Sequence, residues 1–92
     1  MGSVRYVRSK EVLWRRNPGE VVLLALGDDE VVRLPGTGGA LWDQLSRPVS
    51  LDDLAAGLAR AYSAASERVA AEIQPLLDEL VRRGAVTRLT NG

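Results

Sequence analysis

Gly36-Thr37-Gly38-Gly39 is the only glycine-rich loop in the chain, and such loops cradle phosphates when their main-chain N–H groups converge. The phosphate-loop pattern needs a Lys-Ser or Lys-Thr pair after its second glycine, and Ala40-Leu41 follow here instead. With no ammonium to reach a phosphate, these glycines read as the turn from a strand into a helix. Asp28-Asp29-Glu30 raises a metal, but three consecutive side chains in a hairpin rarely converge on one ion and no further spaced ligands follow. They read as a solvated turn. Asp52-Asp53 and Arg82-Arg83 suit the first and last turns of helices, where they complement the helix dipole. The chain has no cysteine and no histidine, which removes thiolate metal sites, Cys or His nucleophiles and imidazole acid–base chemistry. No pair of groups has a reason for a shifted pKa. The residues therefore assign no catalytic residue, no metal and no cofactor, and the chain reads as a protein that is not an enzyme.

The elements that remain must serve recognition. Ninety-two residues, 46% apolar and 26% charged, make one domain with one core. Twelve basic and twelve acidic residues cancel, so the electrostatic footprint of a nucleic-acid binder is missing from the bulk charge. No apolar run approaches the roughly 18–20 residues of a membrane span, and no secretory h-region opens the chain. The expected setting is cytoplasmic, with no membrane and no nucleic acid as partner.

The pattern predicts a flexible lead-in over residues 1–9, a sheet over 10–35 and a helical part over 37–84. Val4 to Val7 alternate weakly; Val12-Leu13-Trp14 is a short apolar run between Lys10 and Arg15-Arg16. Asn17-Pro18-Gly19 signals a turn, and Val21 to Leu26 is a continuous apolar run of the kind expected for a strand covered on both faces. Gly27-Asp28-Asp29 reads as a hairpin connection, and Val31-Val32-Arg33-Leu34 as the third strand of a meander. Thr37 is placed to cap a first helix carrying Leu41, Trp42 and Leu45; Ser50 and Asp53 form a capping-box pattern opening a second. Leu51, Leu54, Ala55, Leu58, Ala61 and Tyr62 share one face of that helix. A third helix runs from about Ser66 to Gly84, its C′ glycine, and Val86 to Thr90 fits a short terminal strand. The fold class is α+β: a three-stranded antiparallel meander followed by three helices, compatible with a winged helix-turn-helix.

Two features exceed what one small core needs. The third meander strand carries only Arg33 as a charged guard among Val31, Val32 and Leu34. Such an edge is either covered by the C-terminal segment or offered to an incoming strand. In the third helix, with Val69 at zero, Leu76 lies at about −20°, Leu80 at about 20°, Ile73 at about 40°, Leu77 at about 80° and Val81 at about 120°. That breadth means either burial on two sides, or one flank packed on the second helix and the other lining a groove against the third strand. Pro75 inside this helix predicts a kink near residues 71–75, or a division into two helices.

Three stretches resemble the PqqD-like family of recognition elements for ribosomally synthesised, modified peptides. They are Val22-Leu23-Leu24; Leu34-Pro35-Gly36-Thr37-Gly38 with Leu41-Trp42 and Leu45; and Leu77-Asp78-Glu79-Leu80 with Arg83-Gly84-Ala85-Val86. Pro35 stands where the family commonly has Asn, Val31 and Val32 where aromatic residues are common, and Pro75 is unusual for it. The resemblance implies that a leader peptide adds as a strand to the third meander strand, in a groove walled by the third helix. Main-chain groups of Val31, Val32, Arg33 and Leu34 would hold its backbone. Val31 or Val32, with Val69, Ile73, Leu76, Leu77 and Leu80, would form apolar pockets, and Arg33, Glu72 and Asp78 a charged rim. It further implies a stand-alone peptide chaperone of lasso-peptide biosynthesis, with the leader region of a precursor and a leader peptidase as partners.

Other readings stay open beside it. A PQQ or radical-SAM pathway would use the same fold. A winged-helix DNA-binding protein would need an outward basic helix, and the third helix sets Arg68, Arg82 and Arg83 against Glu67, Glu72, Asp78 and Glu79. A dimerisation module using the same open edge predicts self-association instead.

Overall fold

The structure, a computed structural model, describes residues 3–91. In chain order the elements are β1 (Ser3–Arg8), β2 (Val12–Asn17), β3 (Glu20–Ala25), β4 (Val32–Pro35), α1 (Thr37–Gln44), α2 (Leu51–Tyr62), α3 (Ser66–Arg82) and β5 (Val86–Asn91). The fold is α+β: an antiparallel β2-β3-β4 meander followed by three helices.

The β2–β3 hairpin closes through Pro18-Gly19, with Asn17 opposite Glu20 and Gly19 at φ 77°. Proline presets the first turn residue and glycine supplies the positive φ of the second, which fixes the register. Inner-face residues Val21, Leu23 and Ala25 are buried. The apolar run was expected to be covered on both faces, yet Val22 and Leu24 are only half-buried and Leu26 is 76% exposed. β3 therefore has one core face and one open face.

The second sheet corrects the expected lead-in. Ser3–Arg8 is a strand paired antiparallel along its whole length with β5, and only residues 1 and 2 of residues 1–9 lie outside the described chain. On its other side Tyr6 exchanges main-chain bonds with Val49, at 2.8 and 3.0 Å, and Arg8 N–H donates to the Leu45 carbonyl at 2.9 Å. Tyr6 is buried, so β1 is held by packing as well as by its ladder. The sequence showed this segment only as a weak alternation, because its partners lie more than 30 residues away.

The helices start and stop by different means. Ser50 Oγ accepts from the Asp53 N–H at 3.1 Å and caps α2. At α1 the N-cap is Gly36, at φ 55°, with no side-chain bond, so Thr37 is the first helical residue and not the cap. α2 buries Leu54, Ala55, Leu58 and Ala59; Ala61 and Tyr62, assigned to that face by periodicity, are exposed. The chain leaves the helix at Ser63, at φ 53°. α3 is one uninterrupted helix through Pro75, so the expected division does not occur. It ends at Arg83 before Gly84, at φ 82°. Trp42, Leu41, Leu45, Leu58, Leu77 and Leu80 centre the core between the helices and the inner face of the sheet.

Candidate functional site

β4 pairs only with β3 among the described residues, and β5, the one segment expected to compete for its edge, is taken by β1. Which main-chain groups face outward follows from the register. Gly36 N–H donates to the Gly19 carbonyl at 3.2 Å, and the ladder continues as Glu20↔Pro35, Val21↔Leu34, Val22↔Arg33 and Leu23↔Val32. Antiparallel pairs alternate between those that exchange both bonds and those that exchange none. Counted from Gly19 and Gly36, Leu34 and Val32 spend their N–H and C=O on β3. Arg33 turns both of its main-chain groups away from the sheet, and Pro35 turns a carbonyl outward with no N–H beside it.

The side chains alternate in the opposite sense. Leu34 is buried and Val32 packs half-buried against the core. Arg33 projects from the outer face, where its guanidinium donates to Glu20 Oε2 at 2.7 Å. Val31 precedes the strand and is 56% exposed on the outer face, beside Leu13, Val22 and Leu24.

An apolar groove runs along the first half of α3. Val69, Glu72, Ile73 and Leu76 form one wall, Thr37 and Gly38 close the α1 end, and Tyr62 and Ala64 form the α2 end. Gly38 joins the groove to β4. A Cβ built on it would lie 3.2 Å from Leu34 Cβ and 3.8 Å from Leu76 Cδ2, so strand and helix meet there because this residue has no side chain. Of the residues expected at the site, the structure brings Val69, Glu72, Ile73 and Leu76 together in this groove, with Val32, Arg33 and Leu34 along the adjacent edge.

The others lie elsewhere. Leu77 and Leu80 are 0% exposed in the core and offer no surface to a ligand in this conformation. Asp78 accepts from Gln74 at 2.9 Å and is not among the groove residues; it sits about 180° from Val69 around α3. Glu72 is held by Arg68 at 3.3 Å across one helical turn, an exposed pair that orients more than it stabilises. Tyr62 and Gly38 were not assigned to the site. Periodicity put Tyr62 in the core, and nothing in the sequence signals that Gly38 abuts two leucines. Among the described residues no cluster of acidic side chains could hold a metal ion, and no helix is long and apolar enough to cross a membrane.

The site is an open strand edge beside an apolar helix groove on a small α+β domain. The family model described as "Coenzyme PQQ synthesis protein D (PqqD)" matches residues 20–86, well over half of the chain. The chain belongs to the PqqD family. No curated protein and no solved structure matches it significantly.

Proposed function

We propose that this protein binds the leader segment of a ribosomally synthesised precursor peptide. The leader adds as a strand to β4, antiparallel pairing exposes alternate side chains to the α3 groove, and the bound peptide is presented to a leader peptidase and other maturation enzymes. The pathway proposed is lasso-peptide biosynthesis, in the cytoplasm, with the chain acting as a chaperone and not as an enzyme. Family membership supports the general part of this reading, a partner of a precursor peptide. The observation that supports strand addition is the Arg33 main chain, facing away from β3 beside the groove of Val69, Glu72, Ile73 and Leu76.

Arg33 would exchange two bonds with one leader residue. That residue's side chain would point to the outer face, beside the Arg33 guanidinium. The leader residues on either side of it, opposite Val32 and Leu34, would turn inward to the groove. Main-chain bonds supply affinity and the inward pair supplies selection.

The test is titration of the full chain with a fluorescent leader peptide encoded beside its gene, repeated for Val32→Asp and Leu76→Asp. Leu80 is unsuitable as a probe, because an aspartate at a fully buried core position unfolds the protein. Saturable binding in the micromolar range or tighter, lost in variants with unchanged circular dichroism, supports the reading; a well-folded chain that binds no neighbouring leader overturns it. The description of the matching family favours a second reading, a precursor peptide of the PQQ pathway. Preferential capture of that precursor in the same titration would select it.

A further inference from the structure

The outer face of the β2-β3-β4 sheet is apolar and uncovered. Leu13 is 75% exposed, Leu26 76% and Val31 56%, with Val22 and Leu24 half-buried between them. These side chains line two adjoining depressions. A solvated face of an antiparallel sheet ordinarily alternates to polar residues, and a contiguous apolar patch marks an interaction surface.

The register sorts this face into three rows across the strands. Arg15, Val22 and Arg33 stand in one row. Leu13 and Leu24 form the next, with Val31 at its β4 end. Leu26 lies in the third, donating its N–H to the Glu11 carbonyl at 2.9 Å, and the loop that follows carries Asp29 and Glu30. The face is basic at one end of the strands, apolar in the middle and acidic at the other. Arg15 has no ion pair among the described residues; Glu20 offsets Arg33, and Lys10 stands beside Glu11 without reversing the sign of its end.

We propose that this face packs against the same face of a second copy, with strands antiparallel and the two-fold axis lying between the sheets, perpendicular to the strands. That rotation lays the Leu13-Leu24-Val31 row on its own equivalent. It sets Arg15 and Arg33 of each copy over Glu11, Asp29 and Glu30 of the other. The alternative two-fold, parallel to the strands, stacks arginine on arginine. Charge order thus selects one isologous arrangement, and the strand alignment is that of a β-sandwich. Three strands about 4.8 Å apart and five residues at about 3.3 Å span roughly 15 by 17 Å, well below the about 800 Å² per partner of a standard interface. The pair is therefore transient and forms at high protein concentration. The open main-chain groups of Arg33 point sideways out of the sheet and not into this contact, so leader pairing and self-association use different groups of β4.

The experiment is sedimentation equilibrium of the full chain from about 10 μM to about 1 mM, the range in which a contact this small populates. The expected weight-average mass rises from the 9.9 kDa of one chain toward twice that value. Leu13→Asp, at a position already 75% exposed, holds the mass at one chain with unchanged circular dichroism and leader binding. Arg15→Glu weakens association about tenfold, one charge pair per copy, and adding Glu11→Arg, at the residue just before β2 that the two-fold sets opposite, restores it. A mass of one chain across the whole range overturns the proposal, as does association that Leu13→Asp and Arg15→Glu leave intact.

Discussion

Leu34 of β4 and Leu76 of α3 meet across Gly38: both come within 4 Å of the position a Cβ would take there. Helix and strand edge are held at one spacing by a residue with no side chain. The groove and the open main chain of Arg33 lie on either side of this seam.

Gly38→Ala is predicted to destabilise the protein by about 1 kcal/mol and Gly38→Val by more, because Leu34 Cβ at 3.2 Å is tied to the backbone and cannot swing aside. Alanine ordinarily gains about 1 kcal/mol over glycine within a helix, so an unchanged or raised urea midpoint would show that the seam opens freely.

Pro35 ends the outward ladder without a donor. Pro35→Ala supplies an N–H beside the open carbonyl, and the leader is expected to bind about fivefold tighter, one net hydrogen bond of about 1 kcal/mol. The same change lengthens an unguarded edge and should raise self-aggregation. In the peptide, N-methylation of the residue opposite Arg33 should abolish binding, while methylating either neighbour leaves the main-chain bonds intact. Equal losses at all three positions would mean that the peptide does not bind as a strand.

Much of this arrangement was legible in the residues. Pro18-Gly19, Ser50 with Asp53, and Arg83-Gly84 marked element ends because each acts on its immediate neighbours. The 3.6-residue period placed Leu54, Leu58, Val69 and Ile73 inward. What failed was long-range. β1 depends on pairing with β5, which no local pattern announces. The open outer face of β3 could not be told from a covered one, since six apolar residues in a row look alike in both cases. Leu77 and Leu80 were grouped with Leu76 on one broad sector, and only the packing shows the first two spent on the core.

Cap chemistry separates two hydroxyls that the sequence treated alike. Ser50→Ala is predicted to cost about 1 kcal/mol, because the Asp53 N–H loses its acceptor. Thr37→Ala should be neutral within about 0.5 kcal/mol, as its helix starts from Gly36 with no side-chain bond. Chemical denaturation of the two variants side by side reads the contrast.

Pro75 interrupts the hydrogen bonding of α3 at an exposed position without ending the helix. Pro75→Ala restores a donor for the Ala71 carbonyl and is predicted to stabilise the protein by about 1–3 kcal/mol. Thermal unfolding checks this. A lower Tm would mean that α3 is fitted to the bend that proline imposes.

Arg8 is a charged side chain built into the framework. Its Nε donates to the Trp42 carbonyl at 3.0 Å, and its guanidinium lies 4.5 Å from the Trp14 ring centroid and 5.1 Å from that of Trp42. The two indoles meet edge to face at 6.1 Å, so the cation fills the angle between them. Burial pulls the Arg8 pKa below its ordinary value; Asp43, at 3.9 Å, pulls it back up, and Arg16 adds to the lowering. Arginine stays cationic throughout the range where proteins fold, so this site adds no pH dependence near neutrality. Arg8→Met keeps the aliphatic stem but removes the donor and the cation, and is expected to cost about 1–2 kcal/mol. Arg8→Lys should cost nearly as much, because an ammonium cannot stack flat on Trp14 while donating to Trp42. Urea unfolding followed by tryptophan emission measures both, and full stability in Arg8→Lys would show that charge alone, and not the planar fork, holds β1 to α1.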